Sequence, residues 1–269
     1  MAGRRHREAP ARREGRLRVR PRRCRHRRRG GRDAPRPLHG RALIGGRVRV
    51  VDLSLPIKTH FRWKVATEVR GSHHRGDVFQ STSVTMPCHA FTHVDAPSHF
   101  LPGARHIAQM PVDQWIGDAV VVDLTHLGEN AAVTAAELEQ QAQHVRGGDI
   151  VLLRTDWPLR VGVETERFWS HAPYTDASAC HWLVRRRAKA VGYDYPPDYC
   201  IRDMIFRPDT PPAREDSTTH FILFPAGVTV IEYLANLHEI RRPRCRFAAL
   251  PLAIEGADGS PVRAVAFVD

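Results

Sequence analysis

The sequence predicts one mixed α/β domain behind a basic N-terminal tail. Three observations carry that prediction. Residues 119–124 (AVVVDL) and 149–157 (DIVLLRTDW) are continuous apolar runs, the pattern of strands covered on both faces. Between them, residues 133–145 read as a helix, with Thr134 as N-cap and Glu137 three residues on, the capping-box spacing. Beyond residue 46 the composition does not shift a second time and no internal repeat occurs, so residues 47–269 form one domain.

The elements follow in order. Residues 47–57 (RVRVVDLSLPI) open as a valine-rich strand that closes at Pro56. Residues 60–77 are polar and irregular, with Phe61 and Trp63 as isolated aromatics, and 78–86 alternate enough to form a second strand. Gly147 and Gly148 end the helix at 133–145, and Pro158 stops the strand at 149–157. A helix over 177–189 leads to a short strand at 190–193, then to a proline-rich excursion over 196–215. A Pro-Ala-Gly turn splits the apolar stretch 221–237. The end reads as a hairpin: a strand to Glu255, a Gly-Ala-Asp-Gly turn, and a strand from Val262.

The net charge of +12 suggests a nucleic-acid binder until it is mapped. Seventeen arginines lie within residues 1–46 against Glu8, Glu14 and Asp33, so the tail carries +14 and the rest of the chain −2. So much like charge with so little to bury predicts a disordered tail. Nucleic-acid binding through that tail is the less favoured reading, and a solvated extension the preferred one. The tail has no apolar core for a secretory signal and no serine, which counts against a transit peptide. The five cysteines, Cys24, Cys88, Cys180, Cys200 and Cys245, are widely spaced and form no C-x-x-C. They point to a reducing compartment rather than a disulfide framework. No apolar run approaches the roughly 18 residues that span a bilayer. The expectation is a soluble, cytoplasmic protein.

The chemistry concentrates in HAFTHVDAPSHF, residues 89–100. His89, His93, Asp95 and His99 are all odd-numbered, so in an extended segment they can share one face. Pro97 and the β-branched Thr92 and Val94 argue against a helix. A single loop histidine is more often solvated than a ligand. Two imidazoles and a carboxylate together, however, are three ligands of the kind zinc or manganese accepts, and three leave a position open for water. Other signatures are absent: His238-Glu239 is not continued as H-E-x-x-H, and neither a P-loop nor a G-x-G-x-x-G occurs.

The segment resembles the signature of the cyclase family, which includes bacterial kynurenine formamidases and isatin hydrolases. The family's usual form is H-x-G-T-H-x-D-x-P-x-H. His89, Thr92, His93, Asp95, Pro97 and His99 match it, and Phe91 replaces the glycine. The likeness extends over most of residues 48–269. VDLSLPI (51–57) is similar to the family's opening strand, AVGYDY (190–195) to its G-x-D stretch, and GADGSPVRAV (256–265) to its closing hairpin. His220 and Glu232, twelve residues apart around FPAG, match its second metal-ligand pair. A carboxylate following Val228–Ile231 is expected to be buried, and so to need a partner or a metal.

The resemblance implies a mixed-sheet domain of the kynurenine formamidase type that binds two divalent ions per subunit, zinc or else manganese. His89, His93 and Asp95 would hold one ion, Asp95 would bridge, and Glu232 and His220 would complete the second site. His99 would be the general acid and base in attack by metal-bound hydroxide on an amide carbonyl. Trp63 would cover the substrate or else be a surface aromatic, and Phe91 would either line the substrate pocket or turn away into the core. The implied activity is hydrolysis of a small non-peptide amide, an aryl formamide such as N-formylkynurenine. Ring opening of a cyclic amide such as isatin is the alternative, and metal binding without catalysis the reading from another class. Asp194 either orients a ligand or serves as a salt-bridge partner or turn cap. The family also implies a homo-oligomer.

Overall fold

Apolar runs build the centre of the sheet. The computed structural model describes Leu43–Ile44 and residues 48–269; apart from Leu43–Ile44, the tail expected over residues 1–46 lies outside the described residues. The described strands are β1 (Leu43–Ile44), β2 (Val48–Asp52), β3 (Ala66–Gly71), β4 (Ser81–Thr85), β5 (His93–Asp95), β6 (Ile116–Asp123) and β7 (Ala132–Val133). They continue with β8 (Ile150–Arg154), β9 (Tyr174–Thr175), β10 (Ala190–Tyr193), β11 (Thr229–Glu232), β12 (Arg244–Ala248), β13 (Gly259–Pro261) and β14 (Val265–Val268). Ten of them form one sheet in the order β1-β2-β14-β12-β6-β8-β10-β11-β5-β13.

The four central strands, β6, β8, β10 and β11, run parallel, and every other pairing in this sheet is antiparallel. Their near-continuous apolar sequence follows from cover on both faces. Val120, Val122, Val151, Leu153 and Val191 point into the larger core, with Leu138, Phe168, Cys180 and Leu183. Ala119, Val121, Ile150, Leu152 and Ala190 point into a second core, with Trp115, Phe247 and Ala266.

The described α-helices are α1 (Ala135–Gln141), α2 (Trp157–Arg160), α3 (Glu166–Ser170), α4 (Ala177–Arg185), α5 (Asp203–Phe206) and α6 (Thr218–Leu223). The Thr134 hydroxyl accepts from the Glu137 N–H, the expected cap of α1. The helix is shorter than the pattern suggested and ends at Ala142, well before the glycine pair. Pro158 does not stop the chain either. It sits in the first turn of α2, where its missing N–H is no loss.

Two further expectations are corrected. The polar stretch 60–77 contains β3, which pairs with β4 as a separate two-stranded sheet. Its residues are exposed apart from Gly71, so no buried face marked it in the sequence. The terminal hairpin is not a simple one. β14 pairs with β12 and β2, while the turn residues before it form β13, which pairs with β5 at the far edge of the sheet. That detour brings residues 257–260 to the histidine segment.

Candidate metal centre

Strand register assembles the centre. β11 and β5 are antiparallel, with Glu232 opposite His93. β13 lies on the other side of β5, with Gly259 opposite Asp95. Glu232 ends a central parallel strand, and the carboxyl ends of parallel strands are where α/β sheets bind ligands. The histidine segment is not one extended face, as its spacing suggested. Only His93–Asp95 is strand; His89 lies in the preceding turn and His99 ends a 3-10 turn begun by Pro97.

All six residues singled out for chemistry converge. His93 Nε2 is 3.2 Å from Asp95 Oδ1 and 3.8 Å from Glu232 Oε2. His220 Nε2 is 3.2 Å from Asp95 Oδ2 and 3.4 Å from Glu232 Oε1. His89 Nδ1 is 2.7 Å from Asp95 Oδ1, and the His99 ring stacks on that of His89 with centroids 3.8 Å apart. Donor atoms of His93, Asp95 and Glu232 lie within 4.8 Å of one another, as do those of His89, Asp95 and His99. Asp95 belongs to both groups, in keeping with a bridging carboxylate. The grouping differs from the expected one in two respects: His93 stands with Glu232, and His99 falls in the same donor group as His89 and Asp95.

The donor set fits a divalent cation. Asp95, Glu232, His93 and His220 are buried, and no lysine or arginine pairs with the two carboxylates among the described residues. Buried charge of that kind needs a counter-charge. The imidazole backs are held. His93 Nδ1–H donates to the Phe91 carbonyl at 2.8 Å, and His220 Nδ1–H donates to Asp198 Oδ2 at 2.5 Å. Fixing Nδ1 as the donor turns the Nε2 lone pair of each ring toward the shared point, the arrangement seen around metal ligands. His89 Nε2 is buried without a hydrogen bond, although Asp258 Oδ2 lies 3.1 Å away.

The clustered imidazoles and carboxylates shift one another. Burial opposes charge on Asp95, but His93, His220 and His89 outweigh it and hold the carboxyl well below its usual range. Burial likewise opposes charge on His220, and Asp198 with Asp95 and Glu232 holds the ring well above. His89 is lowered by burial but raised more by Asp95 and Asp258, to about 9. His99 goes the other way. Burial lowers it, His89 and His220 lower it further, and Asp95 only partly compensates.

Two carboxylates that contact the candidate site residues were not visible in the sequence. Asp258, in the turn before β13, accepts from His99 Nδ1 at 3.2 Å. Asp198 fixes His220 and also accepts from the Thr219 N–H at 2.8 Å. Asp194 takes the turn-cap alternative. Its carboxylate accepts from the Thr155 N–H and hydroxyl and the Asp156 N–H, not from the centre.

Phe91 occupies a left-handed conformation, φ 57°. This explains the glycine usual at that point, since any side chain there costs roughly 1–2 kcal/mol. The phenyl is buried, 1% exposed, and packs 4.6 Å from the Trp63 ring. Burying such a side chain contributes roughly 1.5–3 kcal/mol, enough to offset the strain. Trp63 in turn meets Trp169 and Tyr233, and Tyr233 lies 5.5 Å from His93. An aromatic wall therefore adjoins the centre. Gly259 is required for a different reason: a Cβ there would come 2.6 Å from His89 Cε1 and 3.0 Å from the Val94 carbonyl.

Fold and site define a mixed α/β protein with a buried histidine–carboxylate centre at the strand ends. A family model described as putative cyclase matches residues 51–197, more than half of the chain. The chain belongs to that family. It is similar to the kynurenine formamidase of Bacillus cereus, 28% identical over 220 residues that cover 80% of this chain and 95% of that protein. The kynurenine formamidase of Bacillus thuringiensis is 27% identical with the same coverage. In fold it is similar to isatin hydrolase A from Labrenzia aggregata, with TM-score 0.66 and 24% identity over 82% of this chain and 94% of that one. Isatin hydrolase A from Ralstonia solanacearum gives TM-score 0.67 and 24% identity over 82% and 92%.

Proposed function

We propose that this cyclase-family chain is a metal-dependent hydrolase of a small non-peptide amide, with aryl formamides, N-formylkynurenine among them, as the leading substrates. One observation carries the reading: His93, His220, Asp95 and Glu232 meet at a buried point with both imidazole backs fixed and, among the described residues, no lysine or arginine paired with the carboxylates. The relatives named kynurenine formamidase support the choice of bond.

His89, His93, Asp95, His220 and Glu232 would hold the cation, zinc by their histidine-rich character and otherwise manganese. When bound, such an ion supplies Lewis acidity, bringing the pKa of a water toward 7 and polarising a carbonyl. The protein's own groups handle protons and position. His99 is part-buried at the rim, and its Nδ1–H donates to Asp258, which leaves Nε2 as the free base. Its lowered pKa keeps it neutral near pH 7. Nε2 therefore takes a proton from the attacking water and returns it to the amide nitrogen as the carbon–nitrogen bond breaks. A formamide then yields formate and the aryl amine. Trp63 and Phe91 are buried against each other in the aromatic cluster beside the centre and would back a planar substrate ring rather than line its surface.

The test is metal analysis of the purified protein, followed by assay against aryl formamides, cyclic imides and lactams, with isatin included. His99→Ala should keep its metal and lose roughly 10²–10⁴-fold in turnover. A metal-binding protein without catalysis would turn over none of the panel. Preference for isatin over every formamide would move the reading to cyclic amides.

A further inference from the structure

Two neighbouring rings from the turn at residues 97–100 dock on two different histidines of the centre. His99 stacks on His89, with centroids 3.8 Å apart and planes 19° from parallel. Phe100 stacks on His220 at 4.1 Å and 18°. The two pairs meet nearly at right angles: His99 and Phe100 are inclined by 89° at 4.7 Å, and His99 and His220 by 77° at 6.0 Å. Asp95 contacts a histidine of each pair, with Oδ1 2.7 Å from His89 Nδ1 and Oδ2 3.2 Å from His220 Nε2. The turn therefore straddles the shared carboxylate.

The backbone explains how adjacent residues reach different partners. Residues 97–99 form a 3-10 turn, in which successive side chains diverge by about 120°. Pro97 fixes its own φ, and its carbonyl accepts from the Phe100 N–H at 3.3 Å and the Leu101 N–H at 2.9 Å. His220 is held independently of the turn, by Asp198 at Nδ1 and by the Phe224 ring, edge-on at 5.4 Å. Part-buried Phe100 also meets Phe221 edge-on at 5.3 Å, and the Arg214 guanidinium lies 4.2 Å over the Phe221 ring. Stacked and edge-on contacts of this kind need a planar ring, and an aliphatic side chain cannot make them. Asp258 fixes how the His99 ring is turned, through Nδ1, but does not tie the turn to His220.

We propose that Phe100 is a positioning residue: its stack on His220 holds the turn, and with it His99, at a set distance from the histidine–carboxylate centre. This rests on the reading of His99 as the acid–base group. A general base works only within hydrogen-bond reach of the proton it takes, and a displacement of about 1 Å costs up to roughly 100-fold in rate. Docking on a histidine at each side of Asp95 gives His99 its placement before a substrate arrives.

The test compares Phe100→Leu, which keeps apolar bulk, with Phe100→Tyr, which keeps the ring, in the full zinc-loaded chain acting on formanilide. Phe100→Leu should lower kcat roughly 10–100-fold, with KM within about twofold and zinc affinity within about threefold of wild type. Phe100→Tyr should bring kcat back to within about threefold of wild type. A wild-type kcat in Phe100→Leu, or equal losses in both variants, overturns the assignment. A loss of zinc affinity above about tenfold also overturns it, making the ring a support of His220, as does a rise in KM alone, making it a substrate contact. A second readout needs no turnover. In the cobalt-loaded chain with nitrogen-15-labelled histidine, the paramagnetic ion shifts the His99 ring signals according to their distance from it, and His99→Ala identifies those signals by their loss. The shifts should change or spread in Phe100→Leu and return in Phe100→Tyr. Unchanged shifts in Phe100→Leu overturn the assignment. If no amide is turned over, the hydrolase reading fails, while cobalt shifts that depend on the Phe100 ring still support its hold on His99.

Discussion

Glu232 and His93 face each other across the β11–β5 register, Oε2 and Nε2 3.8 Å apart, although 139 positions separate them in the chain. The contact joins the end of a central parallel strand to an antiparallel edge strand. Each side chain is buried; Glu232 also meets His220, and His93 also meets Asp95 and the Phe91 carbonyl. Glu232→Gln keeps the shape and removes the charge. If Glu232 is a ligand as proposed, the change should weaken zinc binding by at least about 100-fold, since it removes a ligand's charge where loss of a mere supporting group costs 10–100-fold. Competition with a chromogenic chelator measures it.

Asp198 is such a supporting group. Its carboxylate holds His220 Nδ1 and makes no contact with Asp95 or Glu232 of the kind His220 makes. Asp198→Asn should reduce zinc affinity by roughly 10–100-fold while leaving the other ligands in place. Calorimetric titration of metal-free protein is the check, and an unchanged affinity would show that His220 needs no orientation.

Removing the metal should destabilise the fold. Asp95 and Glu232 lose their counter-charge and keep only histidine partners. If free zinc is about 1,000 times its dissociation constant, linkage predicts a loss of about 4 kcal/mol on chelation. Thermal unfolding with and without chelator reads this directly, and a midpoint that stays put would count against a folded-state cation site.

Asp194 should give the protein a pH-dependent stability. Burial pushes its carboxyl up to about 7, against the donors at Thr155 and Asp156, while in the unfolded chain it titrates near 3.8. The folded state therefore binds the proton more tightly. The contribution is fully present below about pH 4 and is lost as pH rises through about 7. Asp194→Asn should flatten that slope. It should be the less stable form at pH 5, because an amide N–H2 now meets the Asp156 N–H, and the gap should narrow by pH 8. Denaturant midpoints at the two pH values test it.

Phe91→Gly sets strain against packing. Truncating a buried phenyl costs about 3–5 kcal/mol, and release from the left-handed region returns roughly 1–2. A net loss of about 2–3 kcal/mol is expected in chemical denaturation. A more stable variant would mean that the Trp63–Phe91 contact contributes little.

What the sequence discloses depends on how locally each feature is specified. Strand β10 and the central parts of β6 and β8 were legible because two-sided burial writes an unbroken apolar run. His89, His93, Asp95 and His99 were legible because four donors crowd eleven residues. Glu232 was legible through the apolar strand it ends, and its burial follows as expected. Asp258 and Asp198 were not. Each is one acid in a turn, and its meaning arises only from a contact 159 or 22 residues away. β3 stayed hidden because its exposed alternation has no apolar face, and β13 because a tight turn masked a strand that pairs elsewhere.

The path of β13 has a consequence for biosynthesis. The residue that orients His99 lies 159 positions after it, and Gly259 must settle beside His89 before the turn can close. During translation the histidine segment therefore emerges long before its last partner. Early ribosome-bound chains should capture zinc loosely or exchange it freely. Tight retention should appear only once synthesis has passed residue 261 and the edge of the sheet has closed.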